Sequence, residues 1–368
     1  MKKREYNFYD SDHYKDFGLQ PDMFEIQIGY GLIPLVDEEK HAPLLKEIKK
    51  GRNQFDAEYG IPIPPVRIVD NMKLDPCEYA ISFNGVEVDR WELKPYKILC
   101  VDTGDVVKII EGNFEKTKDP AFGADAVFVP DEQEVQFKKA GYACVKPGKV
   151  ISVHLFQIAY QNRTKILNQC MVNTLVDKVR PTNPDVISDL FFKKGFTTSK
   201  LKAVLNFLLA EDVSIRDMNT ILETIADYIE VVTPAPIKIA EQIRENLALS
   251  ILSKYADKNK NIHGILVNEK ISEKLYDHMT FSTTENMPYF ALDKDMDELI
   301  TEKISNYADK MREKDFAPLF IAPKEIRTAF AKFLQSRFYD CKAISCNEIT
   351  AVKNKFCFNQ EGELDWNE

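Results

Sequence analysis

Phe24-Glu25-Ile26-Gln27-Ile28-Gly29-Tyr30-Gly31-Leu32-Ile33-Pro34-Leu35 sets the character of the fold. Phe24, Ile26 and Ile28 alternate with Glu25 and Gln27, the period of two expected of a half-buried strand, and Gly29 and Gly31 end the run in a turn. Leu44, Leu45, Ile48, Phe55 and Tyr59 then recur at helical spacing until Gly60 and Pro62 supply a C-cap and a breaker. A strand with a helix laid upon it therefore opens the chain.

Downstream, Val66 to Val69 is rich in strand formers. Tyr79, Ile81 and Phe83 alternate up to Asn84-Gly85, with Val86 and Val88 beyond, which predicts a tight hairpin. Residues 97–146 stay β-rich and turn-rich: strands are expected at 98–101, 106–110 and 126–129, and an amphipathic helix over 131–139. They read as a small α/β unit inserted in the first. From 150 to 255 helical periodicity dominates, with apolar stripes at Leu201, Val204, Leu205 and Leu208 and at Ile243, Leu247 and Ile251. Ser214 stands three residues before Asp217 and ahead of Met218, Ile221 and Leu222, a variant capping box. Thr233-Pro234-Ala235-Pro236 punctuates this block.

A last α/β section is expected to hold a strand at 262–267, helices at 272–279 and 296–311, a strand at 319–322, a helix at 326–338, and short strands near 342–346 and 352–358. Residues 1–24, charged and aromatic without periodicity, read as a tail or linker, and 359–368 as an acidic tail. The expected fold class is multidomain α+β.

A chain of 368 residues has room for two to four domains, and 44% hydrophobic with 29% charged residues is a soluble globular composition. The net charge of −9 argues against nucleic acid, which demands a basic stripe; the run Lys46 to Lys50 is a solvated helix face. No uncharged apolar stretch approaches the roughly 20 residues that span a bilayer. Glu5 and Asp10 stand where a signal peptide would need an apolar core, so the expected compartment is the cytoplasm. Seven cysteines, without a Cys-x-x-Cys pair, are expected to be reduced and mostly buried.

Catalytic patterns are missing. Gly29-Tyr30-Gly31 is half of a dinucleotide fingerprint, but Pro34 stands where the third glycine belongs. Gly148-Lys149 has Ala143 in place of the upstream glycine of a phosphate loop and no Ser or Thr after the lysine. The five histidines are scattered without ligand spacing, and His154, beside Val153 and Leu155, reads as a satisfied structural histidine. No catalytic residue, cofactor or metal site is expected.

Four strings remain to be explained: residues 29–34, Pro65-Val66-Arg67-Ile68-Val69-Asp70-Asn71, Asp119-Pro120-Ala121-Phe122-Gly123, and Ser214-Ile215-Arg216-Asp217-Met218 with its continuation Ile221-Leu222-Glu223-Thr224-Ile225-Ala226-Asp227-Tyr228. Turn formers, strand formers and a helix cap build them. From the residues alone, Asp119-Pro120 starts a turn, and Phe122 is either core or an exposed contact.

Together these strings resemble the cytoplasmic domain of the flagellar and type III secretion export-gate family, known as the FHIPEP family, over about residues 25–350. The resemblance implies a non-enzymatic platform that follows a membrane-embedded bundle, assembles into a homo-oligomeric, nonameric ring, meets other export-apparatus proteins and receives chaperone–substrate complexes. It implies a first subdomain at 25–97 plus 147–167, a second at 98–146, a third at 168–247 and a fourth at 248–358. It also implies a docking dimple formed by Asp119, Phe122 and the position of Val153, where the family carries a threonine; here the hydroxyl is lost. Two further departures are Asn168-Gln169-Cys170-Met171 at the entry to the helical subdomain and Trp91-Glu92-Leu93 in a hairpin.

The sequence given holds no membrane bundle, so the expectation is either an excised domain, lying at the inner face of the cell membrane when joined to its bundle, or a free-standing paralogue. A soluble regulatory or structural paralogue that joins the ring without receiving cargo is the alternative function. An enzyme is the third reading, and would require a deep pocket where titratable side chains converge.

Overall fold

A computed structural model describes residues 5–6, 23–37, 39, 41–229, 235–283 and 287–365. The chain divides into two compact units, 1–178 and 179–368.

The first unit begins with β1 (Glu5–Tyr6), β2 (Phe24–Ile28), α1 (Pro43–Tyr59), β3 (Val66–Asp70), β4 (Glu78–Phe83) and β5 (Val86–Glu92). They form a five-stranded sheet in the order β1-β3-β2-β4-β5, with β2 parallel to β3 and antiparallel to β4. Ile26 of β2 lies between Ile68 and Ile81 of its neighbours, and all three are buried. Alternation thus set the strand, as expected from residues 24–28. Residues 5–6, expected in a tail, instead pair with β3; the rest of residues 1–22 lies outside the described residues.

The Gly29-Tyr30-Gly31 turn has a packing reason. Gly29 N–H donates to Glu78 O at 2.8 Å and Gly31 N–H to Pro76 O at 2.7 Å, and a Cβ on Gly29 would lie 2.1 Å from Asp75 O. Only glycine lets the strand end press against the backbone of residues 75–78. The predicted hairpin is present, with positive φ at both Asn84 and Gly85 (49° and 79°).

A second, antiparallel sheet follows from β6 (Ile98–Val101), β7 (Glu115–Lys118), β8 (Asp125–Val129) and β9 (Ala143–Val145), ordered β7-β8-β6-β9, with α2 (Glu134–Lys139) between β8 and β9. Its small core is Ile98, Cys100, Val129 and Phe137. The strand expected at 106–110 is absent: Val107 and Ile109 are 84% and 77% exposed. Strand-forming residues without a neighbouring ladder do not make a strand. Beyond β9 come α3 (Pro147–Gln161), α4 (Arg163–Ile166) and α5 (Gln169–Val179).

The second unit holds α6 (Pro184–Ile187), α7 (Thr198–Ala210), α8 (Met218–Tyr228), α9 (Pro236–Asn246) and α10 (Ala248–Leu252). Then come β10 (Asn261–Val267), α11 (Glu269–Asp277), β11 (Met279–Phe281), β12 (Pro288–Phe290), α12 (Lys294–Glu313), β13 (Leu319–Ala322), α13 (Lys324–Gln335), β14 (Lys342–Ser345), α14 (Cys346–Ala351) and β15 (Cys357–Leu364). A wholly parallel sheet, β14-β13-β10-β15, carries the core, in which Ile265, Phe320 and Leu364 pack with Ile271, Ile304 and Phe330 of the helices.

Several expectations need correction here. The segment read as an acidic tail is strand β15, paired with β10 through Leu364, with Glu361 held by His263 and Lys314; residues 366–368 lie outside the described residues. The strand expected near 352–358 begins only at Cys357, after turns at 352–355, and between the two expected strands α14 intervenes, fixed by a capping box of Ser345 and Glu348. Asp217, not Ser214, caps α8, accepting from Thr220 N at 3.1 Å. The break at Thr233-Pro234 lies outside the described residues. Of the seven cysteines only Cys100 and Cys341 are buried.

Two buried arginines stitch the helices of this unit to its sheet region. Arg327 of α13, 1% exposed, is ion-paired with both Glu211 and Glu241, and Arg244 of α9 with both Glu211 (2.9 Å) and Glu348 (2.8 Å). Among the described residues no helix is long and apolar enough to cross a membrane.

Candidate functional site

The loop joining β7 to β8 is closed by Asp119 N–H donating to Ala124 O and Gly123 N–H donating to Asp119 O, both at 2.8 Å. Inside it the Asp119 carboxylate accepts the Phe122 N–H, three residues on, at 2.8 Å, a local side-chain-to-backbone bond that holds the turn, and Gly123 takes the left-handed conformation with φ 71°. Asp119 is buried and Phe122 is 69% exposed. Between the two readings left open by the sequence, Phe122 is therefore the exposed one, and Asp119 is the residue that props it outward.

Phe122 reaches one edge of a cleft of about 310 Å³ between α1 and α3. On α1 the lining positions Glu47, Gly51, Gln54, Phe55 and Glu58 recur at helical spacing, and on α3 Lys149, Val153, Phe156 and Tyr160 do the same. The two helices come close because Gly51 carries no side chain: a Cβ there would stand 2.1 Å from the Phe156 ring. The cleft thus has an aromatic floor of Phe55 and Phe156, whose ring centroids are 6.5 Å apart, and charged rims of both signs.

Of the three residues expected at a docking dimple, the structure brings Phe122 and Val153 to the same cleft, while Asp119 lies behind Phe122 and outside the lining. The contributions of α1 were missed. Their signal was the face of Glu47, Gly51, Gln54 and Glu58, which at helical spacing flanks the apolar stripe of Leu44, Ile48, Phe55 and Tyr59.

His154, one residue beyond Val153, anchors α3 to the first sheet. Its Nδ1 is 2.9 Å from the Tyr79 hydroxyl and its Nε2 3.0 Å from Asp89 Oδ2. A carboxylate can only accept, so the neutral ring donates from Nε2 and Nδ1 accepts from Tyr79. Burial holds the imidazole below its usual range despite the opposing pull of Asp89. Burial, with Asp89 and Asp119 nearby, pushes the Tyr79 phenol well up. In both groups burial disfavours the charged form, so the pair is a neutral structural one. Among the described residues no cluster of three or more His, Cys, Asp or Glu stands ready to hold a metal.

A family model described as the FHIPEP family matches residues 3–354. The chain belongs to the FHIPEP family. Among curated proteins it is 31% identical over 330 residues to a flagellar biosynthesis protein FlhA of Treponema pallidum, covering 89% of this chain and 46% of that protein. It is 28% identical to that of Bacillus subtilis, covering 90% and 48%. The chain spans about half the length of these FHIPEP relatives.

Solved structures similar in fold include the Chlamydia pneumoniae CdsV protein, with a TM-score of 0.77 at 20% identity over 93% of this chain and 97% of that one. The nonameric EPEC SctV-C aligns with a TM-score of 0.75 at 16% identity over 94% and 98%. A third, from a complex of Chlamydia pneumoniae CdsV and CdsO, also has a TM-score of 0.77, at 20% identity over 94% and 98%. The multidomain α+β class expected from the sequence is the fold shared with these solved structures.

Proposed function

We propose that this chain is a docking platform of a flagellar or type III protein-export gate, receiving chaperone–substrate complexes at the cleft between α1 and α3. The observation that carries the reading is Phe122: a large apolar ring held out of the core by a dedicated turn, beside an aromatic-floored cleft. Aromatic rings, Phe among them, are enriched at the buried centres of protein interfaces, where an exposed ring on a free surface becomes covered. In this reading Phe122 and Val153 touch the partner and Asp119 positions Phe122.

The same reading keeps the four subdomains implied by the resemblance, with 98–146 carrying Asp119 and Phe122 and 147–167 carrying Val153. It takes the chain as part of a homo-oligomeric, nonameric ring at the inner face of the membrane, without catalysis of its own. The support for a ring is that similar solved chains are described as nonameric. Support for contact with other export-apparatus proteins is the similarity to CdsV as solved with CdsO.

Titration of the chain with an export chaperone bound to its substrate tests the docking claim. Phe122→Ala is expected to weaken binding at least about tenfold, the loss of one anchor, with an unchanged melting midpoint; unchanged affinity for both Phe122→Ala and Asp119→Ala refutes it. A second reading, a ring component that takes no cargo, is favoured by Val153, which offers the cleft no hydroxyl. If Val153→Thr creates binding that the natural chain lacks, the second reading replaces the first.

A further inference from the structure

Cys100 of β6 and Cys144 of β9 stand directly opposite each other across the antiparallel pair, and their sulfurs are 2.8 Å apart. Opposed residues of such a pair have Cα atoms about 4.5–5.5 Å apart, inside the roughly 4.4–6.8 Å that a disulfide bridges. The strand pairing therefore holds the two residues within bridging reach. Both are thiols in this structure, and among the described residues they belong to no cluster of three or more His, Cys, Asp or Glu.

We propose that Cys100 and Cys144 form an oxidisable dithiol, a redox modification site that closes a cross-strand disulfide in the second sheet of the first unit. The proposal rests on this geometry and is independent of the docking reading. The oxidant is a low-molecular-weight disulfide. Cys144, the partly exposed member, is the entry sulfur and Cys100, buried beneath it, the resolving one.

The Cys144 thiolate attacks one sulfur of the oxidant, forming a mixed disulfide and expelling one thiolate. The Cys100 thiolate then attacks the Cys144 sulfur, the mixed disulfide breaks, and the second thiolate leaves. Both protein protons end on the two released thiols, and the two protein sulfurs lose the two electrons that the oxidant gains. Burial pushes both thiols up, which keeps the thiolates scarce and the first step slow, while Lys138 pulls Cys144 back down. Proximity drives the second step, because a sulfur already in contact has a very high effective concentration. Closure would fasten β9 to β6 immediately before Pro147 starts α3.

The test is incubation of the full chain with oxidised glutathione, followed by alkylation and non-reducing peptide mapping. The expected result is a cross-linked peptide pair containing Cys100 and Cys144, lighter by two hydrogens than the reduced peptides and abolished by dithiothreitol. Cys100→Ala should instead trap a glutathione on Cys144, and Cys144→Ala should leave Cys100 reduced. Alkylation of both Cys100 and Cys144 after oxidation, or mixed disulfides on both without a cross-link, overturns the proposal. Exposed Cys170 and Cys357 serve as internal controls, since each can take glutathione without a partner.

Discussion

Asp119 turns its carboxylate inward to accept the backbone N–H of Phe122 at 2.8 Å, and the Phe122 ring is thereby left standing in solvent. One residue supplies the bond and the other the surface, so their substitutions should separate.

Phe122→Ala should change the stability of the folded chain by less than about 0.5 kcal/mol, the usual range for an exposed site, whereas a core phenylalanine would cost roughly 3–5 kcal/mol. Asp119→Ala should cost about 1–2 kcal/mol, because it removes a turn bond and leaves an amide unmet. Urea unfolding of the two variants measures both, and a costly Phe122→Ala would place that ring in the core after all.

Gly51→Ala should destabilise by about 1–3 kcal/mol, the cost of overpacking. Elsewhere in a helix the same change would gain about 1 kcal/mol. The sign is reversed by the Phe156 ring, 2.1 Å from where the methyl would sit. Thermal melts of the variant, compared with Gly51→Ala made together with Phe156→Ala, should show the penalty relieved in the double variant.

His154 should make the first unit acid-sensitive. Burial, first of all, holds its folded imidazole below the ordinary histidine value of about 6.5. Between that lowered value and 6.5 the unfolded chain binds a proton that the folded chain does not, so stability rises with pH there. The contribution is complete above about pH 6.5 and is lost as the pH falls toward the folded value. Denaturant midpoints followed from neutral to mildly acidic pH should fall, and His154→Gln should flatten that slope.

Arg327→Met should cost about 3–5 kcal/mol, the usual penalty for removing one partner of a buried pair. The reason is specific: burial pushes the Glu211 carboxyl up, and Arg327 and Arg244 together outweigh it and hold it below its usual range. Without Arg327, Glu241 and Glu211 lose their shared cation. Urea unfolding should show the loss, and recovery by Glu241→Gln in the same chain would show that the stranded carboxylate is its source.

What could be read in the sequence was the local pattern. Alternation at residues 24–28 and 78–83, the Asn84-Gly85 turn, and the helical spacing that ends at Gly60 all specify backbone conformation from neighbours a few residues away, and these elements are present as expected. Composition misled where pairing is distant. Acidic residues 359–364 look like a solvated tail, yet they form an edge strand because β10 supplies a parallel ladder and because His263, Lys314 and Asn268 meet their carboxylates. Residues 106–110 look like a strand but join no ladder, with Val107 N–H donating to Ala140 O in a loop.

The sequence by itself determined the elements whose pattern is local, such as β2, α1 and the Asn84-Gly85 hairpin, and that Asp119 starts the turn that holds Phe122. Only the tertiary structure decided that Phe122 faces outward, that α1 shares its cleft, and that Cys100 meets Cys144 across two strands. The reason is physical: periodicity fixes which face of an element is apolar, but which neighbour covers that face depends on long-range packing, and no spacing along the chain encodes that directly.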